Sequence, residues 1–249
     1  MRFMRYNVLV AALLVSGSVW AEPVVLVSGD DYAPYADSKL PEGGMTTDLV
    51  KNAFAAVNTE TKIEWRPWAR GLDETKHGLF AGTFPYLKTP DREKDFLYSD
   101  VVVKIQDRAF IKAGNKKLDF NNIPSLAGTT ICLPLGWSPS PKLADMIKSE
   151  QIKTSRPKDI STCVKMVDSG RSDYFVTDEA QGTAALKTGG VPAGSVVMAE
   201  STPLADNSLY LIAGKSLPGS KGLLENFNKG LAAIRKNGSY DKIFKAHTK

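Results

Sequence analysis

The sequence predicts an α/β protein made of two small units, each a mainly parallel sheet flanked by helices. Three observations predict it. Strand-like and helix-like segments alternate along the chain, the pattern of parallel strands joined by covering helices. Two long extended stretches, 101–114 and 207–214, bracket a second alternating set. The chain then closes on two amphipathic helices.

In chain order, VVLVSG (24–29) reads as a strand, and TTDLVKNAFAAV (46–57) places Leu49, Val50, Ala53, Phe54 and Val57 on one helical face. TKIEW (61–65) is a short strand, and WARGLDETKHG (68–78) a helix ended by Gly78. LFAGTF (79–84) is a strand, followed by a helix with Thr89 as N-cap and Pro90 at its first position. VVVKIQDRAFIKAG (101–114) leads out of the first unit. TTICLPL (129–135), IKTSR (152–156) and DYFVTD (173–178) are strands; SPKLADMIKSE (140–150), ISTCVKMVDSG (160–170) and EAQGTAALKTG (179–189) are the helices between and after them. NSLYLIAG (207–214) returns to the first unit, and helices over 223–238 and 239–247 finish it. The expected division is a signal peptide at 1–21, one lobe from 22–111 with 207–249, and a second lobe at 112–206. The two crossing strands make a hinge, and the cleft between lobes is the expected ligand site.

The N-terminus sets the compartment. MRFMRYN is basic and VLVAALLVSGSV is apolar but too short to span a bilayer stably. Val19, Trp20 and Ala21 set up cleavage before Glu22. No cysteine lies there, so no lipid anchor is expected, and the chain is assigned to a periplasm. Losing Arg2 and Arg5 removes two of the formal +5 charges, and the remaining excess is spread out. Nucleic-acid binding would need a concentrated basic patch, so it is excluded as a role. The two cysteines, Cys132 and Cys163, are expected to bridge a strand to a helix in an oxidising compartment. With only His77 and His247 in the chain, neither a cysteine–histidine catalytic pair nor a histidine-based metal site is expected, and no cofactor is.

Ligands of open α/β sheets sit beyond the carboxyl ends of the strands. That rule selects Asp30, Asp31, Tyr32 and Tyr35 after the first strand, and Trp68 and Arg70 after the second. It selects Pro85, Tyr86 and Arg92 after the third. In the second lobe it selects Gly136, Trp137 and Ser138, then Asp178 and Glu179. The set is rich in aromatic walls and in arginines, which grip carboxylates or phosphates with a fork of donors.

DDYAPYADSKLPEGGMTTDLVKNAF, TPDREKDFLYSD and AAIRKNGSYDKIFKAH resemble extracellular solute-binding proteins of family 3, in order and over essentially the whole mature chain. The resemblance implies the two-lobed clamshell of type II periplasmic binding proteins, acting as a monomer that presents a small solute to an ABC permease. It implies that Tyr32 stacks on the ligand, Arg92 pairs with a carboxylate, Asp178 takes an ammonium, and Gly136 and Ser138 serve the carboxylate. One stretch departs from the pattern. Where the family usually offers serine or threonine hydroxyls ahead of the arginine, this chain has Phe84, Pro85, Tyr86 and Leu87. The donor set is depleted, and Trp68, Tyr86 and Trp137 make the cleft more aromatic. The leading reading is a binding protein rather than an enzyme, for an amino acid or related carboxylate, aromatic ones included. The alternatives are a cyclohexadienyl-dehydratase-like enzyme with Asp178 or Glu179 as general acid, and a receptor for a sensor kinase.

Overall fold

The computed structural model describes residues 22–248, so the expected signal peptide lies outside the described residues. Strand β1 (Val24–Ser28) pairs in parallel with β2 (Thr61–Trp65) on one side and β3 (Gly82–Leu87) on the other. The crossovers are helices α1 (Met45–Ala55) and α2 (Trp68–Lys76). α1 buries Leu49, Val50, Ala53 and Phe54, the face its spacing predicts. Helix α3 (Pro90–Asp95) starts where expected: Arg92 N donates to Thr89 Oγ1 at 3.3 Å.

After the short strand β4 (Phe96–Tyr98), strand β5 (Val103–Lys112) carries the chain into its second half. There β6 (Thr130–Cys132) pairs in parallel with β7 (Lys153–Ser155) and β8 (Tyr174–Asp178). Helices α4 (Pro141–Lys148), α5 (Ile160–Asp168) and α6 (Glu179–Thr188) accompany them. After β9 (Val196–Met198), strand β10 (Ala205–Gly214) returns, and α7 (Ser220–Lys236) and α8 (Ser239–His247) end the fold.

The two parallel sets are not separate sheets. β5 and β10 run antiparallel side by side, and each also pairs with one set, giving a ten-stranded sheet with the path β2-β1-β3-β10-β5-β8-β6-β7. Among the described residues no helix is long and apolar enough to cross a membrane.

The strand expected at 79–84 lies later, at Gly82–Leu87. Leu79 is exposed, and pairing with β10 continues through Tyr86 and Leu87. The register against β10 shifts between Thr83 and Tyr86. Pro85 lies in that interval and has no N–H to give, as prolines at sheet irregularities do. β4 and β9 are not among the strands the sequence predicts; pairing with β10 and β5 creates them.

The first half has one continuous core, in which Leu26, Phe54, Phe84 and Phe227 are fully buried. The second half has two smaller cores, on opposite faces of its sheet. Side chains alternate along a strand, so Ile131 and Tyr174 enter one core while Cys132 and Phe175 enter the other. The Cys132–Cys163 disulfide spans 5.5 Å between Cα atoms and ties β6 to α5.

Candidate ligand-binding site

Where the two halves face each other, a cavity opens against the middle of the sheet. The space between its lining atoms, open solvent at the mouth included, is about 540 Å³. Of the residues that the strand-end rule selects, Tyr32, Trp68, Pro85, Tyr86, Arg92, Gly136, Trp137, Ser138 and Asp178 line it.

Arg70 does not. α2 buries Trp68, Gly71 and Thr75, and Arg70 lies off that face. Its side chain is 67% exposed and pairs with Glu74 one turn on, Nε to Oε1 at 2.7 Å. Glu179, named as a general acid, lines not this cavity but an adjoining open recess that shares Ile105 and Asp178 with it.

The aromatic wall is an edge of the first-half core. The Trp68 indole donates to Asp30 O at 2.8 Å and meets Tyr32 and Tyr86 edge-on, with centroids 6.1 and 5.7 Å away. The Tyr86 hydroxyl donates to Trp68 O at 2.9 Å. Gly29 is required beside this wall, since a Cβ there would sit 2.4 Å from the Trp68 ring. From the second half, Trp137 closes onto Tyr32 with centroids 5.3 Å apart.

Arg92 is only 9% exposed. Its guanidinium lies 4.7 Å from the Tyr86 ring centroid, donates to Leu87 O at 3.1 Å, and reaches across the cleft to Gly136 O at 2.9 Å. Burial pulls its pKa below the usual arginine range, only partly offset by Tyr86 and Tyr98. The loop carrying Gly136 approaches the start of α2 so closely that a Cβ there would lie 2.6 Å from Ala69 N. Its φ of +82° also favours glycine.

Asp178 ends β8 and caps α6, accepting from Gln181 N at 3.1 Å. Its carboxylate also accepts from the Tyr35 and Tyr32 hydroxyls of the other half, at 2.9 and 3.3 Å. Burial pushes its pKa up to about 6 despite these bonds, which favour the anion. A second contact joins the halves at the rim. Asp31, at φ 68°, accepts from Ile160 N at 2.6 Å, and its backbone carbonyl accepts from Gln181 Nε2 at 2.9 Å.

The strand-end rule missed Asp107 and Ser140. Asp107 sits in mid-strand on β5 and lines the cavity at 4% exposure, held by Asn207 Nδ2 at 2.8 Å. A sequence signal existed: Val103, Ile105 and Asp107 are in phase on β5, so the strand's period places a carboxylate on its buried face. Among the described residues no group of three His, Cys, Asp or Glu side chains is placed to hold a metal ion.

The family model for bacterial extracellular solute-binding proteins, family 3, matches residues 24–249. The chain belongs to this family. It is 21% identical over 225 residues to a protein of Neisseria gonorrhoeae named a probable histidine-binding protein, covering 88% of this chain and 80% of that one. Its fold superposes on an ancestral arginine-binding protein bound to arginine with a TM-score of 0.76 at 21% identity, covering 91% and 98% of the two chains. It also superposes on a histidine kinase sensor domain similar to periplasmic binding proteins, with a TM-score of 0.78 at 16% identity, covering 91% and 96%. The chain is thus a solute-binding protein with the two-lobed clamshell architecture, its halves joined across the cleft by Arg92 with Gly136, Tyr32 and Tyr35 with Asp178, and Asp31 with Ile160 and Gln181.

Proposed function

We propose that this solute-binding protein captures an amino-acid-type solute in the cleft and delivers it to an ABC permease from the periplasm, after removal of residues 1–21. The observation that carries this is the presence of Arg92 and Asp178 in the lining of one cavity. Both are buried, both line one cavity, and neither forms an ion pair among the described residues. A buried charge without a counter-charge is costly, and a solute bearing both signs offsets both. Arg92 takes the carboxylate, Asp178 the ammonium, and Tyr32, Trp68 and Trp137 wall the apolar part. The names given to the gonococcal relative and the ancestral protein both specify amino acids, which agrees with this assignment.

Closure follows from differential affinity. A solute that touches both halves binds the closed form more tightly and shifts the population towards it. A thermal-shift screen over amino acids, amines and aromatic acids identifies the solute, since a hundredfold excess over Kd adds about 2.7 kcal/mol. Calorimetry on Arg92→Ala is then expected to show binding weaker by about 2–5 kcal/mol. Unchanged affinity would remove Arg92 from the site.

One observation favours a second reading. Asp107 gives Asp178 the neighbouring carboxylate that acid–base chemistry needs, and an acid held near pKa 6 is suited to proton transfer. Incubation with prephenate or arogenate separates the two readings. Turnover lost in Asp178→Asn would make the cleft an active site.

A further inference from the structure

Three charged side chains line the cavity: Arg92, Asp107 and Asp178. One is positive and two are negative. Asp107 and Asp178 are directly opposite in the antiparallel register of β5 and β8, so both side chains leave the sheet on one face. They are 4% and 3% exposed. Asp107 accepts from the uncharged Asn207, and burial raises its pKa, offset only in part by Asn207 and Ser140, so its charged form is poorly supported by the protein alone. The adjacent cation, Arg108, belongs to the other phase of the strand and donates to Ser201 O at 2.9 Å. Asp107 therefore forms no ion pair among the described residues.

A neutral zwitterion would answer Arg92 and one aspartate, leaving the other carboxylate buried without a counter-charge, the arrangement proteins tolerate worst. We infer that the solute carries a second cationic centre, making it a cationic amino acid, and that Asp107 is the residue that selects it. The inference rests on the amino-acid reading above. Cβ atoms directly opposite in an antiparallel pair lie about 4.5–5.5 Å apart. The two cationic centres are therefore held close together, as in a short or curled diamino or guanidino side chain. Ile105 and Leu209 also line the cavity and supply apolar surface for its methylene groups.

Calorimetry at neutral pH tests this with length-matched pairs: ornithine against norvaline, lysine against norleucine, arginine against citrulline. For the pair that fits, the cationic member is expected to bind at least tenfold more tightly. Asp107→Asn is expected to abolish that ratio by weakening the cationic member while leaving the neutral one within about twofold. Asp107→Glu, which keeps the charge, is expected to retain a preference. Equal binding of the cationic and neutral members by the unaltered protein overturns the inference, and this needs no variant to fold. So does a ratio that survives in a folded Asp107→Asn. If neutral and cationic amino acids bind equally and both are lost in Arg92→Ala, the site reading stands and only the role of Asp107 falls. If no amino acid binds, both fall together.

Discussion

The two halves of the cleft are built on different foundations. The first half presents Tyr32, Trp68 and Tyr86, rings that belong to one continuous core, and it holds Arg92 against one of them. The second half presents a glycine carbonyl, two serines, a tryptophan and an acid from loops and strand ends over two smaller cores. A wall that is an edge of a large core is held by the same packing that holds the fold. A wall of loops over split cores needs other supports, and here these are the disulfide, the α6 cap at Asp178, and bonds from Tyr32, Tyr35 and Asp31 of the other half. The difference teaches that the apolar side of recognition is preformed, whereas the polar side is completed by closure.

The strongest way to break this comparison is to remove the staple. Cys132→Ala with Cys163→Ala opens a link across a sequence separation of 31 residues. The expected loss is about 3–4 kcal/mol on the chain-entropy view, read as a lower denaturation midpoint. Hydrogen exchange should show that loss concentrated in α5 and β6. Equal loosening of α1 and α7 would mean that the two halves are not independently supported.

Next comes Gly136→Ala. The added methyl would collide with the start of α2, a contact that exists only when the halves meet. Closure should be penalised by about 1–3 kcal/mol and affinity should fall, and the φ of +82° should lower the melting temperature of the protein alone as well. A large stability loss with unchanged affinity would place the Gly136 loop outside the closing surface.

The smallest effect is that of pH. With its pKa raised to about 6, Asp178 must lose a proton before it pairs with an ammonium. Binding should therefore tighten as pH rises through about 6 and release a proton, with affinity at pH 5 about tenfold below that at pH 7. Folding responds in the opposite sense. The raised value means that the stability contribution of Asp178 is present below its ordinary 3.8 and is lost as pH rises through about 6. Calorimetry in buffers of different ionisation enthalpy counts the proton. Affinity flat from pH 5 to 7 would detach Asp178 from the ammonium.

Local rules made much of this legible in the sequence. Thr89 and Pro90 announce the start of α3, and the spacing of Leu49, Val50, Ala53 and Phe54 announces the buried face of α1. The strand-end rule gathered most of the cavity lining because chain direction alone decides which ends of parallel strands meet. It failed where chemistry sits in mid-strand, as at Asp107, whose importance shows only when β8 is placed beside β5. Arg70 was misplaced because it was chosen by its distance from a strand end. The helical phase of Trp68, Gly71 and Thr75 already turned it towards Glu74. The bonds from Tyr32 and Tyr35 to Asp178 join residues far apart in the chain, and no local pattern encodes them.

Trp137 stands on the seam between these two constructions. Its ring packs against the first-half core and against one of the second-half cores. Opening the cleft strips one set of neighbours from the indole and replaces them with water, and an indole's emission shifts to longer wavelength when that happens. The protein thus carries a built-in optical gauge of its own state, readable without a label, at the point where its two halves meet.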